Sequence, residues 1–112
     1  MEQKKIGDAA EKAARLLLEK NKYKFVAKNV RYRFGEIDLI MKDKEEYVFI
    51  EIKYRSSKYY GGAVSAVTWK QQQRLINAAN HYMQVNNLDV AARFDFIGYD
   101  GDKTQWIKNA FS

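Results

Sequence analysis

The sequence predicts an α/β fold with the element order α-β-β-β-α-β. Three observations predict it. Two stretches with apolar residues at helical spacing, 5–21 and 68–86, stand well apart in the chain. The segments between and after them are rich in Tyr, Phe, Val and Ile and are punctuated by turn residues. One of them, 47–54, is a near-continuous apolar run, the pattern of a central strand buried on both faces. The chain has 112 residues, which suits a single domain over 1–112. A domain of that size buries roughly 65% of its unfolded surface.

Each element has its own signal. In the first helix Ile6, Ala10, Ala13, Ala14, Leu17 and Leu18 recur on one face. Asp8 and Glu11 lie in its early turns and Lys20 near its end, as the helix dipole favours, and Asn21 is the expected stop. Residues 23–33 form a first strand with imperfect alternation, and 36–42 form a second. Asp43 to Glu46 is a polar hairpin turn leading into the strand 47–54. Residues 55–66, with Ser56, Ser57, Gly61 and Gly62, read as a loop. The second helix carries Leu75, Ile76, Ala79, Tyr82 and Met83 on one face. A strand at 93–99, the turn Asp100-Gly101-Asp102 and a short final strand at 104–108 complete the chain.

Composition narrows the function. Hydrophobic residues make up 46%, as in a globular protein, and the absence of cysteine excludes disulfides and thiolate metal sites. No apolar run is long enough to cross a bilayer, and Met1 to Lys5 are polar, without the apolar region of a signal peptide. The expectation is a cytoplasmic protein with no membrane partner. The net charge of +6 is concentrated: residues 1–34 hold ten Lys and Arg against four Asp and Glu, whereas 35–112 hold ten of each. Such a bias reads either as a solvated basic surface or as an electrostatic footprint for a polyanion.

Charged residues inside the apolar strands carry the chemistry. Residues two apart on a strand share a face, which pairs Glu36 with Asp38 and Glu51 with Lys53. A buried unpaired charge costs several kcal/mol, on the order of 3–5. These side chains therefore either reach water at strand ends, form simple ion pairs, or share a compensating ion. Clustered carboxylates repel, and a hard divalent cation relieves the repulsion. A lysine beside the ion would orient or deprotonate a water, or hold a phosphate oxygen. That set describes in-line phosphodiester hydrolysis. The bare pattern, Asp38, twelve residues, then Glu51-Ile52-Lys53, is short and weakly specific.

Longer stretches are more specific. Gly35-Glu36-Ile37-Asp38-Leu39-Ile40, Val48-Phe49-Ile50-Glu51-Ile52-Lys53-Tyr54-Arg55, Ala66-Val67-Thr68 with Gln72, Arg74 and Leu75, and Arg93-Phe94-Asp95 together resemble the bacterial YraN-like family. Gly7, Glu11, Asn29, Arg31 and Gly61 also match its pattern, so the resemblance runs from Gly7 to Phe96. It implies membership of the PD-(D/E)xK nuclease superfamily, with a restriction-endonuclease-like αβββαβ core and a mixed sheet flanked by helices. By position it implies Asp38 and Glu51 as metal ligands, the Ile52 carbonyl as a third, and Lys53 as the catalytic lysine. Glu11 resembles the helix-one carboxylate that joins the site in several branches, and Gln72 the glutamine of the second core helix. The implied cofactor is Mg²⁺ or Mn²⁺.

Helical periodicity leaves two of these roles open. Gln72 falls within the apolar stripe of its helix, where an amide either serves the site or bonds to backbone. Glu11 falls at the margin of its apolar face, either reaching inward or acting as a boundary ion-pair partner. The chain departs from the family at Ala63, Ser65 and Gln71, where many members have Pro, Glu and Lys. Ile37 stands in place of the superfamily's proline, as is common in this branch.

His81 is expected on the polar face of its helix, at the surface. Trp69, Tyr54, Tyr59 and Tyr60 are either core or rim residues, or stacking surfaces for bases. Lys4, Lys5, Lys12, Lys22, Lys24, Lys28, Arg31 and Arg33 are solvated charges or phosphate contacts. The reading that follows is a metal-dependent endonuclease acting on nucleic acid, DNA before RNA, on branched or single-stranded structures. Glu36 would be a supporting carboxylate, and the small surface favours a homodimer or a partner protein. The alternative is a non-catalytic nucleic-acid-binding module on a nuclease-like scaffold.

Overall fold

A computed structural model describes residues 2–55 and 67–111, with side chains from Gly7 onward. Its elements are α1 (Glu2–Lys20), β1 (Lys24–Tyr32), β2 (Gly35–Asp43), β3 (Glu46–Arg55), α2 (Trp69–Val85), β4 (Ala92–Asp100) and β5 (Lys103–Phe111). The five strands form one mixed sheet in the order β1-β2-β3-β4-β5. Neighbours are antiparallel except β3 and β4, which are parallel, with α2 in the connection between them.

Two buried clusters sandwich the sheet, as the long apolar run of β3 requires. Ala14 and Leu18 of α1 pack with Leu39, Met41, Val48, Ile50 and Ile97. Leu75, Ala78 and Ala79 of α2 pack with Ile37, Ile40, Phe49 and Phe96. Val48, Phe49 and Ile50 are all fully buried and alternate between the two clusters, so β3 is central and covered on both faces. Among the described residues no helix is long and apolar enough to cross a membrane.

Local chemistry sets the element ends. The turn closing α1 is made by Lys22, in the left-handed region at φ 71°, while Asn21 donates its side-chain amide to the Leu17 carbonyl at 2.8 Å. The Tyr23 N–H then reaches back to the Leu18 carbonyl at 3.0 Å. At the start of α2, Thr68 and Gln71 form a reciprocal capping box, each side chain accepting the other's backbone N–H at 3.1 Å. Gln71, a departure from the family pattern, thus has a structural use.

Three features differ from the sequence expectations. The weak alternation of β1 reflects a register shift between Phe25 and Ala27. The last strand is nine residues long, because Asp95 anchors it. At the irregularity between Phe94 and Phe96, the fully buried Asp95 accepts the Asn109 N–H at 3.0 Å and the Trp106 indole N–H at 3.0 Å. Arg93 closes the network, donating to Asp95 at 2.9 Å, to Glu46 at 2.9 Å and to the Tyr23 hydroxyl. His81, expected at the surface, is half-buried against Tyr32 and Phe34.

Candidate active site

The site lies where β2 and β3 part. Their ladder runs from Asp43 opposite Glu46 to Leu39 opposite Ile50. One step further, the Ile52 N–H is taken by the Asp38 carboxylate at 2.8 Å instead of by backbone. Asp38 and Glu51 are the next residues of the two strands beyond the last pair, Leu39 and Ile50, and Lys53 Nζ lies 3.5 Å from Glu51 Oε2. Both partners of that pair are largely enclosed: the Glu51 side chain is 14% exposed and that of Lys53 21%.

Burial there disfavours negative charge. The Asp38 carboxyl is pushed up to about 6, chiefly by desolvation, against the Ile52 N–H that favours its charged form. The charges of Glu11 and Glu36 push it up further, and Lys53 pulls it down. Glu51 is pushed up to about 8, again by desolvation first and then by the charge of Asp38; Lys53 opposes both, by its charge and its hydrogen bond. Burial and mutual repulsion thus oppose the ionisation of both acids, Glu51 more than Asp38.

The other expected site residues fall at different distances. Glu11 is near enough for its charge to act on Asp38, but its Oε1 accepts a hydrogen bond from the Asn29 side chain at 3.3 Å. Asn29 does this from the left-handed region, φ 51°, within β1. Gln72 donates to the Val67 carbonyl at 3.3 Å, the structural option, and no hydrogen bond joins it to Asp38, Glu51 or Lys53. Ile52, the expected main-chain ligand, is fixed by its N–H to Asp38 and pairs with Ile97 of β4. Among the described residues no group of three or more His, Cys, Asp or Glu side chains is drawn together to hold an ion. Asp38 and Glu51, with a main-chain carbonyl and waters, are a donor set that suits Mg²⁺ or Mn²⁺, since Mg²⁺ usually keeps several waters and takes only one or two carboxylates.

Beside the site, between α1 and the sheet, lies a cavity of about 460 Å³ lined by residues of α1 that include Glu11, Lys12 and Arg15, by Lys28 and Asn29 of β1, and by Leu39 of β2. Of the basic residues singled out from sequence, Lys12, Lys22, Lys24, Lys28, Arg31 and Arg33 are exposed, and Arg31 pairs with Glu36 at 3.3 Å. The side chains of Lys4 and Lys5 lie outside the described residues, as do Tyr59, Tyr60, Gly61, Gly62, Ala63, Ser65 and Ala66. Trp69 is 73% exposed at the head of α2, and Tyr54 is half-buried. Sequence reasoning did not find the Asn29–Glu11 bond. The available signal was an asparagine, a residue that tolerates positive φ, in a strand whose alternation falters.

Residues 10–98 match the uncharacterised protein family UPF0102. A UPF0102 protein of Shewanella pealeana is 51% identical over 105 residues, covering 94% of each chain. This chain belongs to UPF0102. Relatives from Shewanella loihica, 52% identical over 105 residues, and Shewanella baltica, 50% identical over 106, extend the match along 92% and 98% of their own lengths. The matched residues include β2 and β3, so Asp38, Glu51 and Lys53 all lie within the UPF0102 match. The YraN-like resemblance read from sequence is to this same family.

Proposed function

We propose that this UPF0102 protein is a divalent-metal-dependent phosphodiesterase acting on nucleic acid, with the restriction-endonuclease-like core and the PD-(D/E)xK residue set. The observation that carries the reading is the pairing of two enclosed, mutually repelling carboxyls, Asp38 and Glu51, with Lys53 at 3.5 Å. A stable core has no use for such a pair, whereas a hard cation converts its repulsion into binding. Asp38, Glu51 and the Ile52 carbonyl would hold Mg²⁺ or Mn²⁺. When bound, the ion supplies positive charge to the phosphate oxygens and to the water they meet.

The chain's own residues perform the rest. The Ile52 N–H fixes the orientation of the Asp38 carboxylate. Lys53 keeps its ammonium beside Glu51, where it orients the attacking water or neutralises a phosphate oxygen. The water oxygen bonds to phosphorus and gives up a proton, the bond to the leaving sugar oxygen breaks, and that oxygen takes up a proton in its place, so one water is consumed for each bond cut. The exposed cations of α1 and β1 hold neighbouring phosphates, and DNA is the expected substrate before RNA.

Incubation of the purified protein with labelled duplex, single-stranded and branched DNA in Mn²⁺ and in EDTA tests this. Cleavage is expected in Mn²⁺ alone, and it is expected to vanish in Glu51→Ala and Lys53→Ala. Cleavage that persists in both variants belongs to a contaminant and ends the proposal. One observation favours a second reading, a binding module without turnover: no three-acid cluster is assembled among the described residues. Salt-sensitive binding without calorimetric metal uptake would select it.

A further inference from the structure

The hairpin joining β1 to β2 carries an aromatic group that the proposed chemistry does not use. Tyr32 and Phe34 stack with ring centroids 5.7 Å apart and planes 14° from parallel. The His81 ring of α2 meets both edge-on, at 4.6 Å from Tyr32 and 5.3 Å from Phe34. Phe34 is 42% exposed and belongs to neither buried cluster. A large apolar ring at a hairpin tip, ordered on one side and open on the other, has an unsatisfied face.

The hairpin is also fixed in place. A Cβ on Gly35 would collide with the Arg74 carbonyl oxygen, so the chain after Phe34 lies directly on the α2 backbone. Two exposed cations, Arg31 and Arg33, neighbour the rings along the chain, one of them in an ion pair with the exposed Glu36. The root of the hairpin adjoins the candidate active site: Arg31 pairs with Glu36, and the Glu36 charge acts on both Asp38 and Glu51. Three residues of β2, Gly35 to Ile37, separate Phe34 from Asp38, so the two lie within about 13 Å along the chain.

We propose that Tyr32, Phe34 and His81 form a stacking platform for one unpaired base of a nucleic-acid strand, a few nucleotides from the phosphate held at Asp38, Glu51 and Lys53. This rests on the nuclease reading and names its substrate class as single-stranded or frayed. Aromatic faces flanked by arginines match the two surfaces of such a strand, the base and the phosphate. A duplex keeps its bases stacked on one another and offers no free face to Phe34.

The test is a binding cycle in EDTA, so that cleavage plays no part. Fluorescein-labelled single strands of DNA and of RNA, and the DNA duplex, are titrated with wild type, Phe34→Ala and Phe34→Trp, each checked by circular dichroism melts. Abasic substitutions are walked along the single strand. Wild type is expected to prefer single strands and to lose about tenfold in affinity at one abasic position. Phe34→Ala is expected to lose about as much with the intact strand and little more at that position, while Phe34→Trp binds at least as well as wild type. Coupling on either the DNA or the RNA strand supports the platform, and the tighter of the two names the sugar. Additive losses at every position, or a duplex bound as tightly as a single strand, overturn it. Coupling without metal-dependent cleavage would remove the nuclease reading and keep the platform; cleavage without coupling would do the reverse.

Discussion

Replacing Glu51 by Gln isolates the electrostatic cost on which the candidate site rests. The Glu51 carboxyl is held at about 8 in the folded protein against 4.5 as its ordinary value. Folding therefore favours the protonated form. Its contribution to stability is complete below about pH 4.5 and is lost as pH rises through about 8, at up to about 1.4 kcal/mol per pH unit. Between about pH 5.5 and 7.5 the loss amounts to ~2–3 kcal/mol, or roughly 10 °C in Tm for a chain of this length. Asp38, raised from 3.8 to about 6, adds to the slope at the acid end. Glutamine has the shape of the protonated acid and does not titrate. Melts in EDTA across this range should therefore show Glu51→Gln gaining on wild type as pH rises. If Mn²⁺ binds as proposed, the order is expected to reverse at high pH in excess Mn²⁺, because the ion would need the ionised ligand and would stabilise only wild type. A constant difference between the two proteins from acid to neutral pH would refute the reasoning, since it would mean that Glu51 titrates alike folded and unfolded.

Three further outcomes follow from the same geometry. Asp38→Ala leaves the Ile52 N–H without its acceptor and should cost about 1–3 kcal/mol in urea unfolding, whereas Asp38→Asn retains an acceptor and should cost under about 1 kcal/mol while still abolishing calorimetric metal binding. Asp95→Ala strips partners from Arg93, Trp106 and Asn109 inside the sheet and should cost about 3–5 kcal/mol, read by the same denaturation. Gly35→Ala forces the β1–β2 hairpin off the Arg74 carbonyl and should destabilise by about 1–3 kcal/mol, with increased amide exchange at Tyr32 and Phe34.

What could be read from the sequence was whatever depends on periodicity. The faces of α1 and α2, the double burial of β3 and the i, i+2 spacing of Glu51 and Lys53 are properties of a repeating backbone, and the observed elements follow them. The irregular positions were not legible. Asn29 takes up φ 51° and its amide donates to Glu11 eighteen residues earlier, and no local pattern encodes a partner on another element. Asp95 entered the sequence reading only within the family-like stretch Arg93-Phe94-Asp95, yet in the structure its carboxylate takes the Asn109 N–H at the irregularity between β4 and β5.

Asp38 and Asp95 are both acids set in apolar strands, and each accepts a backbone N–H across a break in its ladder. Their surroundings separate them. Asp95 is enclosed by donors, Arg93, the Trp106 indole and the Asn109 N–H, so its charge is answered within the chain. Among the described residues Asp38 accepts one backbone N–H and feels the charges of Glu11, Glu36 and Glu51, with Lys53 opposing them. The same residue type in the same kind of break is thus a structural anchor in one place and an unanswered charge in the other. In the proposed reading it is the second that takes up a cation from solution. Sequence spacing could not separate the two, because the difference lies in which donors the sheet brings to each carboxylate.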